Sequence, residues 1–153
     1  MKYVSAFLVV FALFTAGIAK AQSASKLNGQ SYTYMMKNAD GSGEEIIDVV
    51  TFQNNSMTSS HLGTRGYTSN TVVEKDAGTS TNFEVTMASK TEGTRVYRGQ
   101  LQGDAIEGTI TVTDKQGVQT TMLFRGMTTE TWNTVQEQKR KAREELMKKQ
   151  NSH

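Results

Sequence analysis

The chain has 153 residues, 17 Lys and Arg against 15 Asp and Glu, no cysteine and no proline. That length gives room for one hydrophobic core. The lack of cysteine excludes disulfides, thiolate metal sites, cysteine nucleophiles and lipid attachment at a cleavage-site cysteine. The near-balanced charge leaves no basic field of the kind nucleic-acid partners require.

The first element in chain order is a secretory signal over residues 1–21. Lys2 supplies the basic start, Val4 to Ile18 is an almost unbroken apolar run, and Ala19-Lys20-Ala21 has the small-x-small form of a cleavage site. The run is about 15 residues, short of the roughly 20 that span a bilayer, and no later segment is longer or more apolar. Removing residues 1–21 takes away Lys2 and Lys20 and leaves 15 basic and 15 acidic side chains.

Strands follow. Ser31–Lys37 alternates, with Tyr32, Tyr34 and Met36 on one face. Asn38 to Gly43 is a turn by composition. Glu45–Gln53 places Val50 and Phe52 inward, Asn54-Asn55 suits a tight hairpin, and Ser56–Ser60 carries Met57 inward. His61 to Ser80 is irregular and punctuated by glycine, with one short strand expected near Thr71–Glu74. Asn82–Ser89 puts Phe83, Val85 and Met87 inside. Thr94–Gln102 adds Tyr97 and Leu101, Ala105–Thr113 adds Ile106, Ile110 and Val112, and Val118–Arg125 adds Met122 and Phe124. Seven or eight strands with turns roughly every 8–12 residues predict an all-β barrel or sandwich.

Three strands share a device: Tyr97-Arg98-Gly99, Ile106-Glu107-Gly108 and Phe124-Arg125-Gly126. Residues two apart face the same side, so each puts a bulky residue beside a bare backbone position on the inner wall. Glycine there admits a sharp bend or a close backbone approach, the signature of a sheet coiling into a barrel. Beside Tyr97, the bare position at Gly99 predicts the part of the wall with most room.

The period changes after Met127. Thr128 or Thr129 is the expected N-cap, and Trp132, Val135, Ala142 and Leu146 form a thin apolar stripe at helical spacing. Residues 130–153 hold six basic and four acidic side chains. Lys139-Arg140-Lys141 is interleaved with Glu137, Glu144 and Glu145 at spacings that form i,i+4 pairs, the pattern of a solvated helix that also offers a surface to a protein partner.

Catalytic signatures are sparse. His61 has no histidine neighbour to share a metal and no identifiable orienting acid. Asp104 falls in a turn and Glu107 on the outer face. Asp48 has inward parity and needs a partner, for which Arg95 and Arg98 are the arginines at hand. There is no phosphate-binding glycine loop, nucleophile elbow or two-histidine zinc helix.

Thr51-Phe52, Met57-Thr58-Ser59, Gly66-Tyr67, Phe83, Glu92-Gly93-Thr94, Tyr97-x-Gly99, Gly103-Asp104-x-Ile106-x-Gly108-Thr109 and Phe124-x-Gly126 run from Val50 to Gly126. In these features the chain resembles a loosely defined group of uncharacterised, exported bacterial lipocalin-like proteins. Tryptophan is commoner in that group where Tyr97 stands, and a cysteine stands near His61 in some members. The Gly-x-Trp motif of true lipocalins is absent, since Ser31 lies two places after Gly29. The resemblance implies the barrel shape rather than a particular ligand chemistry.

The sequence therefore predicts an all-β protein: an antiparallel, lipocalin-like β-barrel of about eight strands over residues 22–129. A C-terminal α-helix and tail follow over residues 130–153, and the protein is secreted or periplasmic. Its expected function is non-catalytic binding of a small apolar molecule by Tyr34, Phe52, Phe83, Tyr97 and Phe124, with no cofactor and no metal. The alternative is a protein-interaction or envelope-associated module that uses the helix.

Overall fold

The computed structural model describes residues 25–151. The signal reading for residues 1–21 lies outside the described residues. Nine strands and two helices follow in order: β1 (Ser31–Asn38), β2 (Ile46–Gln53), β3 (Ser56–Ser59), α1 (Ser60–Gly63), β4 (Thr68–Ser69), β5 (Val73–Asp76), β6 (Thr81–Ser89), β7 (Gly93–Gln102), β8 (Ala105–Thr113), β9 (Gln119–Thr128) and α2 (Thr129–Gln150).

Every pairing is antiparallel. The sheet runs β3-β2-β1-β9-β8-β7-β6-β4, with β5 alongside β6, and curls into a nearly closed eight-stranded barrel. Closure lies at the β3–β4 seam, where the Met57 amide donates to Ser69 Oγ at 2.9 Å and the Val72 amide to the Asn55 carbonyl at 2.8 Å. The β2–β3 hairpin turns through Asn54 and Asn55 at φ 52° and 58°, the left-handed pair that matches the twist of flanking strands.

Alternation builds the interior. Tyr32, Tyr34 and Met36 of β1, Val50 and Phe52 of β2, and Phe83, Val85 and Met87 of β6 are all buried. So are Tyr97 and Leu101 of β7, Ile106 and Ile110 of β8, and Met122 and Phe124 of β9. Leu27 and Leu62, from the N-terminal segment and α1, join the same cluster.

The glycines act as bends, not as room. A Cβ on Gly108 would meet the Arg98 carbonyl at 2.2 Å, and one on Gly126 would meet the Thr33 carbonyl at 2.2 Å. The wall beside Tyr97 is not spacious: a Cβ on Gly99 would lie 2.5 Å from Phe83 Cε1. The Phe83 ring already fills the space that the missing side chain leaves, which corrects the sequence expectation.

α2 starts at the Thr128 cap, whose hydroxyl accepts from the Thr131 amide. Thr131 Oγ1 donates to Asp104 at 3.0 Å, and Thr33, of outward parity on β1, is buried where its hydroxyl donates to Thr129 Oγ1 at 3.1 Å. Trp132 and Val135 are partly covered, and from Gln136 to Gln150 every residue is exposed. The helix leaves the barrel as a projecting arm.

Candidate functional site

The five rings singled out from the sequence do converge inside the barrel. Tyr34 and Phe124 lie 5.3 Å apart, Phe52 and Phe83 5.5 Å, Tyr97 and Phe124 6.0 Å, and Phe83 and Phe124 6.4 Å. These are the separations of rings that pack on one another in edge-to-face and tilted arrangements. Tyr34, Phe52 and Tyr97 are the centre of the packed core, each at most 2% exposed.

A polar hub sits among them. Asp48 is 1% exposed and, among the described residues, forms no ion pair. Its Oδ2 accepts from Tyr34 Oη at 3.0 Å and Ser59 Oγ at 2.5 Å. Its Oδ1 accepts from Ser60 Oγ at 2.8 Å and from the amides of Val49 and His61 at 2.8 and 2.9 Å. Arg95 and Arg98 are not its partners; Arg98 pairs with Glu84 at 2.8 Å on the outer face. Hydroxyls and amides of the β3–α1 corner replace the expected guanidinium. Five donors satisfy the carboxylate without a counter-ion.

The hub extends to a second phenol, with Tyr34 and Tyr97 hydroxyls 3.3 Å apart. Burial, then the neighbouring Tyr97 and Asp48, hold the Tyr34 phenol well above the usual tyrosine range. Burial likewise pushes Tyr97 up to about 12, against the opposing hydrogen bond to Tyr34 and the charge of Arg95. These groups stay protonated at neutral pH and donate hydrogen bonds.

The titratable candidates do not assemble. His61 lies in α1 and not in an irregular loop, and contributes its backbone amide to Asp48. Asp104 is at the α2 end and Glu107 is exposed on the outer face. Among the described residues, no group of three or more His, Asp or Glu side chains could hold a metal ion.

Two depressions among the described residues bear on a site. The larger, about 1000 Å³, crosses the outer face of β1, β9, β8, β7, β6 and β5 beside the β1–β2 turn. Phe83, Phe124, Gly99 and Gly108 contribute to its lining, together with the apolar Met35, Leu123 and Val73. Lys37, Arg98, Arg125, Glu84 and Glu107 supply charge of both signs. Leu123 and Val73 are 51% and 63% exposed, large apolar groups left open to solvent beside these charges. The smaller depression, about 630 Å³, lies where α2 meets the sheet, between Gln30, Asp104, Thr131 and Val135.

The structure thus packs all five rings in the interior; Phe83 and Phe124, 4% and 3% exposed, only border the larger depression. Sequence reasoning missed Met35, Leu123 and Val73 because it treated the outer face as uniformly solvated. The available signal was an isolated large apolar residue at an outward position, Leu123 between Met122 and Phe124. Comparison with family models, curated proteins and solved structures finds no match to this chain.

Proposed function

We propose that this protein is an exported, non-catalytic β-barrel that binds a small, mainly apolar molecule in the depression on its outer face. The observation that carries the reading is the lining: the outward-facing apolar side chains Leu123, Val73 and Met35 stand there, over the backbone that carries the buried Phe83 and Phe124. Its volume of about 1000 Å³ is at the upper end of the size range of small-molecule sites. Apolar area removed from water would drive binding, at roughly 25 cal/mol per Å². The flanking charges would orient a polar group on the ligand. Export rests on the signal-like residues 1–21.

The test is native mass spectrometry of protein purified from its own host, paired with titration of an apolar fluorescent dye. Wild type is expected to carry or take up an apolar ligand. Leu123→Glu, at a half-exposed position, is expected to weaken dye binding about tenfold or more with the fold unchanged. Protein that is repeatedly empty and indifferent to the dye sinks the reading.

A second reading follows from the exposed arm of α2. Residues 136–150 make no buried contact with the barrel, which leaves a charged helical surface available to a protein partner. Truncation after Val135 should then abolish capture of that partner while the barrel stays folded. Equal capture by the truncated chain counts against it.

A further inference from the structure

Arg95 stands in β7 with the parity of the buried Tyr97 and Leu101, so its side chain leaves the strand on the inner face. Its cross-strand neighbours are Met87 of β6, which is buried, and Val112 of β8, which packs against the core. The guanidinium carbon lies 5.4 Å from the centre of the Tyr67 ring, a cation–π contact. Its Nε is wholly buried and has no hydrogen-bond partner.

Among the described residues, no carboxylate bridges this charge. Glu92, close by in sequence, is bridged to Arg65 at 3.2 Å. The oxygens of Asp48 are occupied by Tyr34, Ser59, Ser60 and two amides. The Tyr67 ring offsets part of the desolvation of the guanidinium but accepts none of its directed hydrogen bonds, and a buried donor without an acceptor is unfavourable. The side chain as a whole stays partly exposed, so a solute can reach it.

We propose that Arg95 anchors an oxyanion-binding site on the inner wall of the barrel beside Tyr67, taking the carboxylate or phosphate group of a small molecule. A guanidinium offers a planar fork of donors that matches both groups, which a lysine does not. Met87, Val112 and Tyr67 shield the inner, Nε side of the guanidinium and strengthen a charge-assisted bond made there. A neutral ligand would leave the charge unanswered and a cation would be repelled. Arg95 does not line the outer-face depression, so the two sites stand or fall separately.

The experiment follows the Arg95 Nε–H resonance in ¹⁵N-labelled protein, identified by its absence from Arg95→Lys. Inorganic phosphate and acetate are titrated separately against chloride at equal ionic strength. A saturable shift is expected with at least one oxyanion, at a dissociation constant below about 10 mM, and none with chloride. The stronger arm tells phosphate from carboxylate. Arg95→Gln, followed through backbone amides around Tyr67, should bind about tenfold more weakly or worse. Arg95→Lys, which keeps the charge and loses the fork, should fall between and guards against a Gln variant that does not fold. No saturable shift with either anion, an equal response to chloride, or wild-type affinity in either variant overturns the proposal.

Discussion

A methyl group at position 108 has nowhere to go: the Arg98 carbonyl would be 2.2 Å away and the Gly99 Cα 2.6 Å. Both obstacles are backbone, so relief requires the β7–β8 pair to separate. Gly108→Ala is therefore expected to destabilise the protein by about 1–3 kcal/mol or more, read from the midpoint of denaturant unfolding. Asp48 is the polar counterpart. Asp48→Ala removes the shared acceptor of the Tyr34, Ser59 and Ser60 hydroxyls and two amides, and should lower stability by roughly 2–4 kcal/mol. The phenols supply a test in pH. Tyr97 is raised in the folded state to about 12 from an ordinary 10.0, so the stability it contributes is fully present below pH 10 and is lost as pH rises through about 12. Ultraviolet titration should show Tyr97 ionising only at that upper end, together with unfolding. Parity alone sufficed to place Asp48 inside. Its partners were not legible, because Ser59, Ser60 and His61 reach it through one turn of helix whose position depends on the β2–β3 hairpin.

Among the elements, α2 divides at Val135. Its first turn is tied to the barrel through Thr33, Thr128 and Asp104, and its remainder is held by its own ion pairs. Arg140 bridges Glu137 at 2.7 Å and also Glu144, and Lys141 reaches Glu137 at 3.5 Å. Truncation after Val135 should leave the barrel's unfolding midpoint nearly unchanged, whereas truncation after Met127 removes the tied turn and should lower it. The hydrogen bond from Arg140, with the charges of Arg140 and Lys141, lowers the Glu137 carboxyl from 4.5 to about 2. That contribution is present above pH 4.5 and lost as pH falls through about 2, so helical ellipticity should decline across that window, less so in high salt and in Arg140→Gln. This helix was readable from its period, its threonine cap and its charge spacing. The strands from Thr81 to Thr128 were readable from strict alternation. The stretch from His61 to Ser80 was not, since α1, β4 and β5 are two to four residues each; β4 and β5 owe their form to the β6 edge they pair with, and α1 to its packing on β2 and β3.

At the scale of the whole molecule, the closed sheet followed from the repeated bulky–bare pairs, yet their meaning was half concealed. Gly99, Gly108 and Gly126 sit at points where neighbouring strands or rings press inward, and only the coiled geometry shows which atoms press. The outer-face depression was illegible for a related reason: it needs six strands and a turn to come together, and no local pattern encodes that. The sheet order carries one more consequence. β1, among the earliest residues of the barrel, lies between β2 and β9, and β9 is the last strand of the chain. A ribbon emerging end-first from any narrow exit can build hairpins, but it cannot complete its girdle until residue 128 is free to reach back to residue 32. The finished shape is withheld until nearly the whole thread has come through.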